Sequence, residues 1–194
     1  MQKLTRADLH SLEKYAEVRA EFRGWVMAHK KNRQVPIGPH AMLYFEDRFT
    51  VQYQIQEMLR AERIFEVEGI EEELATYNPL IPDGRNWKAT FMIEYTNVGE
   101  RQKALAGMIG IEDRVWVQVD SFERIWAIAD EDLARENEQK TSAVHFLRFE
   151  LTPEMVSAAK ADAVIAMGIG HEAYTYYVDS TPDAVRAALA ADFD

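Results

Sequence analysis

Hydrophobic and polar positions divide the chain into a helical first part and a strand-rich second part. Apolar residues recur at helical spacing over residues 18–29 and again over residues 47–67, which predicts two amphipathic helices. A capping-box pattern at residues 5–8 predicts an earlier helix that reaches about residue 15 or beyond, and residues 70–77 continue as an acidic helix. Between them, proline and glycine punctuate residues 35–46, which predicts a strand, a turn and a strand.

From residue 87 onward the apolar pattern changes from helical spacing to strand alternation. The segments predicted as strands are 87–95, 114–119, 123–129, 142–151 and 163–169, and predicted helices begin near Asn97, Thr152 and Thr181. Residues 114–119 and 123–129 are expected to pair with each other across a short turn. Together these segments predict an α+β fold, in which a mainly antiparallel sheet of about five or six strands packs against N-terminal and central helices.

The length and the absence of a linker-like tract predict a single domain over residues 1–194. Two alternatives stay open within that domain. The helical N-terminal portion, residues 1–33, and a small C-terminal appendage, residues 152–194, could each form a unit of their own.

The charge balance limits the classes of partner. The chain has 22 basic and 33 acidic side chains, which give a net charge of −11. Non-specific binding to nucleic acid or to an anionic membrane needs a basic face, so neither is expected. No apolar run approaches the roughly 18 residues of a membrane span, and the N-terminus lacks the apolar core of a signal peptide. We therefore expect a soluble, cytoplasmic protein.

The chain has no cysteine. This excludes disulfides, thiolate nucleophiles, iron–sulfur clusters held by cysteine and cysteine-type zinc sites. The sequence also lacks a phosphate-binding P-loop and the nucleophile elbow of a serine hydrolase. No cofactor is therefore indicated by a motif.

His145 is the most informative of the five histidines. Strand alternation places it on the same apolar face as Leu147 and Phe149, where an imidazole needs a hydrogen-bond partner. It is either a core histidine satisfied by backbone or a tyrosine, or a neutral base in the floor of a pocket.

His40, Tyr44 and Glu46 lie on one face of a predicted strand, about 7 Å apart in steps. They could form half of an acid–base or metal site, with His40 and Glu46 as the metal candidates. The alternative is the solvated face of an outer strand.

Three further polar residues are candidates for the lining of a ligand pocket. Gln56, one helical turn after Gln52, could donate to a carbonyl or a phosphate. Arg148 lies beside apolar positions, where an ion pair with Glu57, Glu62 or Glu94 is the ordinary explanation. Arg148 could instead bind a carboxylate ligand through both ends of its guanidinium.

A basic segment, residues 29–33, follows the second predicted helix. Positive charge at a helix C-terminus stabilises the helix macrodipole, which is the simpler explanation. The alternative is a binding patch for an anion or an acidic partner.

Several segments resemble one bacterial family over nearly the whole chain. They are His29–Arg33, Leu43–Arg48, Gln54–Arg60, Asn78–Pro82, Ile111–Val115 and Lys140–Leu151. The family is catalogued as domain of unknown function 3501, and it supplies no established catalytic residues. Its genes often accompany a rubrerythrin-like di-iron protein and a cysteine-rich iron–sulfur oxidoreductase. The resemblance therefore implies a role in peroxide or iron redox physiology.

Two functional hypotheses follow. The first is a non-catalytic accessory protein of a redox system, which forms a homodimer and docks through the basic segment and the acidic segments 66–73 and 130–138. Its partner would be the rubrerythrin-like protein or the iron–sulfur oxidoreductase. The second is an enzyme or a small-ligand or metal-binding protein. Its polar pocket would contain some of the candidates Tyr44, Gln56, Glu57, His145 and Arg148.

Overall fold

The computed structural model of the chain describes residues 2–132, 135–137 and 139–194. Within these residues, six α-helices accompany nine strands in two antiparallel sheets. The predicted α+β class and the antiparallel pairing are confirmed. The strands outnumber the predicted five or six because four of them, between residues 115 and 178, form a second sheet.

The helices are α1 Leu12–Lys30, α2 Arg48–Glu62, α3 Val67–Tyr77, α4 Val98–Gly107, α5 Pro153–Lys160 and α6 Asp183–Ala190. The strands are β1 Gln34–Ile37, β2 Ala41–Glu46, β3 Asn86–Ile93, β4 Val115–Val119, β5 Ile125–Trp126, β6 Ile128–Ala129, β7 Val144–Glu150, β8 Ile165–His171 and β9 Tyr174–Val178. Single 3-10 turns occupy Arg6–Asp8, Asn78–Leu80 and Glu112–Arg114. Strand β9 has no counterpart among the predicted segments.

Helix boundaries follow local hydrogen bonding. Asp47 caps α2 by accepting from the Thr50 amide at 2.8 Å, as the predicted helix start requires. Helix α2 ends earlier than predicted because Arg63 adopts a left-handed conformation, with φ 57°. The helix predicted from residue 5 to about residue 15 or beyond is interrupted after one 3-10 turn, since Ser11 caps a new helix, α1, by accepting from the Lys14 amide.

The two sheets face each other across the main core. Sheet A has the strand order β1-β2-β3-β7-β6, and sheet B has the order β5-β4-β8-β9. Alternation points Leu43, Phe91 and Phe149 of sheet A toward Val117 and Met167 of sheet B, in one apolar cluster. Helices α4, α5 and α6 contribute further apolar side chains to the same cluster.

The segment 125–129 crosses from one sheet to the other. Its first part pairs with β4, at Trp116 opposite Trp126, whereas its second part pairs with β7, at Ala129 opposite Leu147. The prediction of one strand paired throughout with residues 114–119 is therefore wrong for β6. The crossing carries Asp130 across to β7.

Helices α1, α2 and α3 lie on the outer face of sheet A. Two small apolar clusters join them, one around Ile55 and Leu59 and one around Phe22 and Val26. Both clusters are separate from the core between the sheets. None of the helices among the described residues combines the length and apolar character needed to cross a membrane.

Candidate functional site

A cleft separates the helical layer from the outer face of sheet A. It encloses about 470 Å³, within the range of small-molecule sites. Strands β2, β3 and β7 form its floor, and α1, α2 and the turn after α3 form its walls. The lining residues are Met27, Lys30, Lys31, Gln34, Tyr44, Glu46, Val51, Gln54, Tyr77, Leu80, Thr90, Met92 and Phe146.

Two polar side chains in the floor are held by hydrogen bonds. Glu46 accepts from the Thr50 hydroxyl at 2.6 Å and from the Thr90 hydroxyl at 2.8 Å. Tyr44 donates to Glu94 at 3.1 Å, and burial raises the pKa of its phenol. These bonds fix the position of both residues, so the floor presents a preformed surface.

Two lysines from the end of α1 line the same cleft. Lys30 lies with its ammonium 5.8 Å from the centre of the Tyr53 ring, and Lys31 is exposed. Within residues 2–132, 135–137 and 139–194, no carboxylate lies within 4.0 Å of either ammonium. The cleft therefore combines apolar side chains with two lysines that form no ion pair among the described residues, although the chain as a whole is acidic.

A second cluster of chemical groups lies in the core around His145, which is fully buried. Its Nδ1 is 2.6 Å from Asp130 Oδ2. Its Nε2 faces three oxygens: Thr141 Oγ1 at 2.9 Å, the main-chain oxygen of Ser142 at 3.1 Å and Glu112 Oε2 at 3.8 Å. Among the described residues, Glu112, Asp130 and His145 are the group whose ligand atoms could hold a metal ion.

Backbone geometry positions the two acids of this cluster. Asp130 adopts a left-handed φ of 47° and accepts from the Phe146 amide at 2.9 Å, which fixes its carboxylate beside β7. Arg135 donates to the same carboxylate at 3.0 Å. Glu112 lies in the 3-10 turn before β4, where burial raises the pKa of its carboxyl.

Comparison with known proteins decides the family. A family described as "Protein of unknown function (DUF3501)" matches residues 3–193. The chain belongs to DUF3501. A crystal structure of a novel protein of unknown function from Burkholderia pseudomallei K96243 is also similar, with 50% sequence identity and a TM-score of 0.95 over 100% of both chains. No curated protein matches the chain.

The family resemblance seen in the sequence is thus confirmed, and the DUF3501 fold is shared with that bacterial protein. The structure does not assemble the five residues proposed from sequence to line a pocket. Of these five residues, Tyr44 lines the cleft, together with Glu46 from the predicted metal pair. The structure places the other four elsewhere in the DUF3501 fold and does not bring the five side chains together in this cleft.

Gln56 and Glu57 connect helices rather than line a pocket. Gln56 is buried and accepts from the His10 amide at 2.6 Å. Glu57 accepts from Tyr15 and from Arg19, each at 2.7 Å, and the Arg19 bond holds the pKa of Glu57 at about 2. Both residues therefore fasten α2 to the segment from His10 through α1.

Strand alternation explains why His145 and Arg148 are apart. They are three positions apart on β7, so they point to opposite faces of sheet A. Arg148 forms ion pairs with Glu131 at 2.8 Å and Glu150 at 2.5 Å, which raise the pKa of its guanidinium. It has the ordinary ion-pair role, although with partners other than those expected.

The two predicted metal candidates do not meet. His40 stacks on Tyr95 with ring centres 3.9 Å apart, and its Nδ1 lies 3.1 Å from the main-chain oxygen of Glu94. Glu46 points into the cleft instead, held by its two threonines. Sequence reasoning missed Glu112 and Asp130, because neither is close to His145 along the chain. The crossing of segment 125–129 between the sheets brings Asp130 to His145, and Glu112 reaches it from the 3-10 turn before β4.

Proposed function

We propose that the protein binds a small amphipathic anion in the cleft between the helical layer and sheet A. The observation that carries this proposal is the pair Lys30 and Lys31, which form no ion pair among the described residues and border a largely apolar cavity of about 470 Å³. The chain has a net charge of −11 and therefore repels anions at long range. An anion would be attracted only where it comes close to local positive charges such as these two lysines.

The apolar part of the ligand would rest on the floor of the cleft. Met92 and Phe146 offer side-chain surface there, and Leu80 offers it from the wall. Burial of apolar ligand area contributes roughly 25 cal/mol per Å². A carboxylate, sulfonate or phosphate on the same molecule would meet the two ammonium groups. Gln34 and Gln54 supply amide donors along the cleft.

Fluorescence titration with 1-anilinonaphthalene-8-sulfonate tests this proposal, because that dye combines an apolar body with one anionic group. The double charge reversal K30E/K31E and the cleft-filling change Met92→Trp should each weaken binding about tenfold or more, equal to about 1.4 kcal/mol. The matched control is Lys103→Glu on α4, an exposed lysine outside the cleft, which should bind as the unmodified protein does.

Circular dichroism would show that each variant folds. Dye binding that is unchanged by both K30E/K31E and Met92→Trp would overturn the proposal. Equal weakening by Lys103→Glu would do the same, because it would mean that the dye responds only to the overall charge.

A second proposal concerns an accessory role in redox or iron physiology. It is favoured by Phe65, whose side chain is 71% exposed, and by the neighbouring Val67, which is 45% exposed. We define the acidic face of α3 by the exposed residues Glu66, Glu68, Glu71 and Glu72. An apolar contact within an acidic frame suits a partner whose surface is basic around an apolar pocket.

The other predicted docking segments contribute less to this proposal. Arg33 of the basic segment is buried and ion-paired with Asp192, so it offers no surface charge. In the acidic segment 130–138, residues 133, 134 and 138 lie outside the described residues, and Asp130 binds His145. The acidic face of α3 therefore carries the docking proposal.

Calorimetric titration with the purified rubrerythrin-like protein and with the iron–sulfur oxidoreductase tests the second proposal. Phe65→Ala should weaken binding at least about tenfold, and binding should weaken with added salt. Val98→Ala, at an apolar residue 56% exposed on α4, is the matched control. Failure of both proteins to bind would count against the accessory role, and sedimentation of the same samples would test the predicted homodimer.

A further inference from the structure

We propose that the Nε2 side of His145 binds a divalent first-row transition metal ion, with Asp130 as the outer partner of the imidazole. The donor atoms would be His145 Nε2, Glu112 Oε2, Thr141 Oγ1 and the main-chain oxygen of Ser142. This site is separate from the cleft, because His145 lies on the inner face of β7 and the cleft residue Phe146 on the outer face.

The first reason is a conflict between hydrogen-bond acceptors. Asp130 Oδ2 lies 2.6 Å from Nδ1, so Nδ1 carries the proton of a neutral imidazole. Nε2 then presents a lone pair to the Ser142 carbonyl oxygen, 3.1 Å away, and that oxygen is an acceptor only. The Thr141 hydroxyl lies 2.9 Å from Nε2, but its single proton is also directed to Glu112 Oε2 at 3.2 Å, so it serves one of these two acceptors at a time. The lone pairs of Nε2 and the Ser142 oxygen repel each other at their separation in a dry core. A positive centre between them, either a proton or a metal ion, removes the conflict.

The second reason is the spacing of the donors. Two ligands bound to one ion at about 2.0 to 2.1 Å lie about 2.8 to 3.4 Å apart in octahedral or tetrahedral geometry. The corresponding separations are 2.9 Å and 3.1 Å from Nε2 to Thr141 and Ser142, and 3.2 Å from Thr141 Oγ1 to Glu112 Oε2. Glu112 is 3.8 Å from Nε2, so a small rotation of its carboxylate completes the set.

The third reason is charge. The buried groups facing His145 include the carboxylates of Glu112 and Asp130, and Glu136 is close enough to act on Glu112 electrostatically. Arg135 pairs with Asp130 and supplies a positive charge there. A divalent ion at Nε2 would balance the negative charge of the Glu112 carboxylate. Asp130, which is bonded to the opposite ring nitrogen, orients the ring as the carboxylate does in carboxylate–histidine–metal triads.

The donor types narrow the choice of ion. One imidazole with hard oxygen donors suits zinc, manganese or ferrous iron and is a poor match for calcium or magnesium, which prefer oxygen alone. Within the described residues, the ring is fully enclosed, so the ion would enter during folding and exchange slowly.

The experiment uses the full chain without a histidine tag, purified without chelator. Elemental analysis should find about one equivalent of zinc, manganese or iron per chain. The same protein is then unfolded with chelator and refolded with or without one equivalent of cobalt. Cobalt bound to the histidine and oxygen donors should give visible d–d absorption, and it should raise the thermal midpoint above that of the metal-free protein.

Variants assign the site. Glu112→Gln should lower cobalt affinity about 100-fold or more, whereas His40→Gln, at a histidine outside the cluster, should leave it unchanged. If His145→Gln fails to fold, the comparison of unmodified protein with and without cobalt still decides the matter. Lack of both absorption and a thermal shift in that comparison would overturn the proposal. Nitrogen NMR of the metal-free protein that shows both ring nitrogens protonated, with no response to zinc, would assign the positive centre to a proton and overturn it as well.

Discussion

At the scale of the residue, strand alternation in the sequence predicts which way a side chain points but not which residues it contacts. His145 was correctly predicted to face the core from its position between Ala143 and Leu147. Its partners Asp130 and Glu112 are 15 and 33 positions away, and no local pattern links them to it. Tyr44 and Glu46 were likewise placed on one face correctly, since the two residues belong to a single strand.

Glu57 provides a residue-scale prediction. Its bond to Arg19 and its bond to Tyr15 lower the pKa of Glu57 from 4.5 to about 2. The folded state therefore releases this proton more readily than the unfolded state. Glu57 adds stability above about pH 4.5, and that stability is lost as the pH falls toward 2. Glu57→Gln should lower the free energy of unfolding at pH 7 by about 1 kcal/mol.

Urea titrations between pH 7 and pH 2 would measure this difference. The gap between Glu57→Gln and the unmodified protein should close as the pH falls below 4.5. Glu21→Gln, at an exposed glutamate of α1, is the control and should show little gap at any pH. A gap of constant size across the range would mean that the charge of Glu57 contributes nothing.

At the scale of the element, capping and proline signals located the starts of α2, α4 and α5 well, because these contacts are local. Strand pairing was predicted less well. Residues 123–129 alternate as one strand would, yet the segment is shared between the sheets after Trp126. Apolar and polar residues alternate only weakly along strand β9, and its position is set by pairing with β8.

Gly168 provides an element-scale prediction, in a row of cross-strand neighbours on sheet B. It lies opposite Trp116 on one side and Tyr177 on the other, and the guanidinium of Arg124 covers the Trp116 ring at 4.0 Å. A methyl group on Gly168 would collide with the Trp116 ring and would lie 2.8 Å from the Tyr177 Cβ. Gly168→Ala should therefore destabilise the protein by about 1–3 kcal/mol.

Gly170 is the matched control on the same strand. A methyl group there would meet the Trp126 ring at 3.7 Å, which is ordinary contact. Gly170→Ala should leave the urea midpoint within about 0.5 kcal/mol of the unmodified protein. Equal effects of the two substitutions would show that the Trp116 ring moves aside without cost.

At the scale of the whole molecule, the fold class followed from the order of helical and strand-like segments, whereas the cleft did not. Its floor and walls come from residues 27 through 146, and their separation depends on how the helical layer rests on sheet A. Arg33 is the clearest long-range contact. It donates to the Ala188 carbonyl at 3.1 Å and pairs with Asp192 at 2.5 Å, which joins the N-terminal portion to the end of the chain.

Substitution of Arg33 therefore tests the proposal that residues 1–194 form a single domain. Arg33→Ala should cost about 3–5 kcal/mol, because it leaves Asp192 buried without its partner. The loss should appear as one cooperative transition at lower urea, with near- and far-ultraviolet dichroism changing together. Arg23→Ala, at an exposed arginine of α1, should have little effect. Two separate transitions would instead favour an independent N-terminal or C-terminal unit.

The division of apolar side chains into separate clusters has a consequence for motion. One wall of the cleft belongs to the clusters that hold α1, α2 and α3 together, and the sheets beneath have their own core. A slight tilt of the three helices would change the width of the opening without repacking either sheet. Amide hydrogen exchange should accordingly be faster where the three helices meet sheet A than in β3 and β7. A ligand bound in the cleft should slow that exchange.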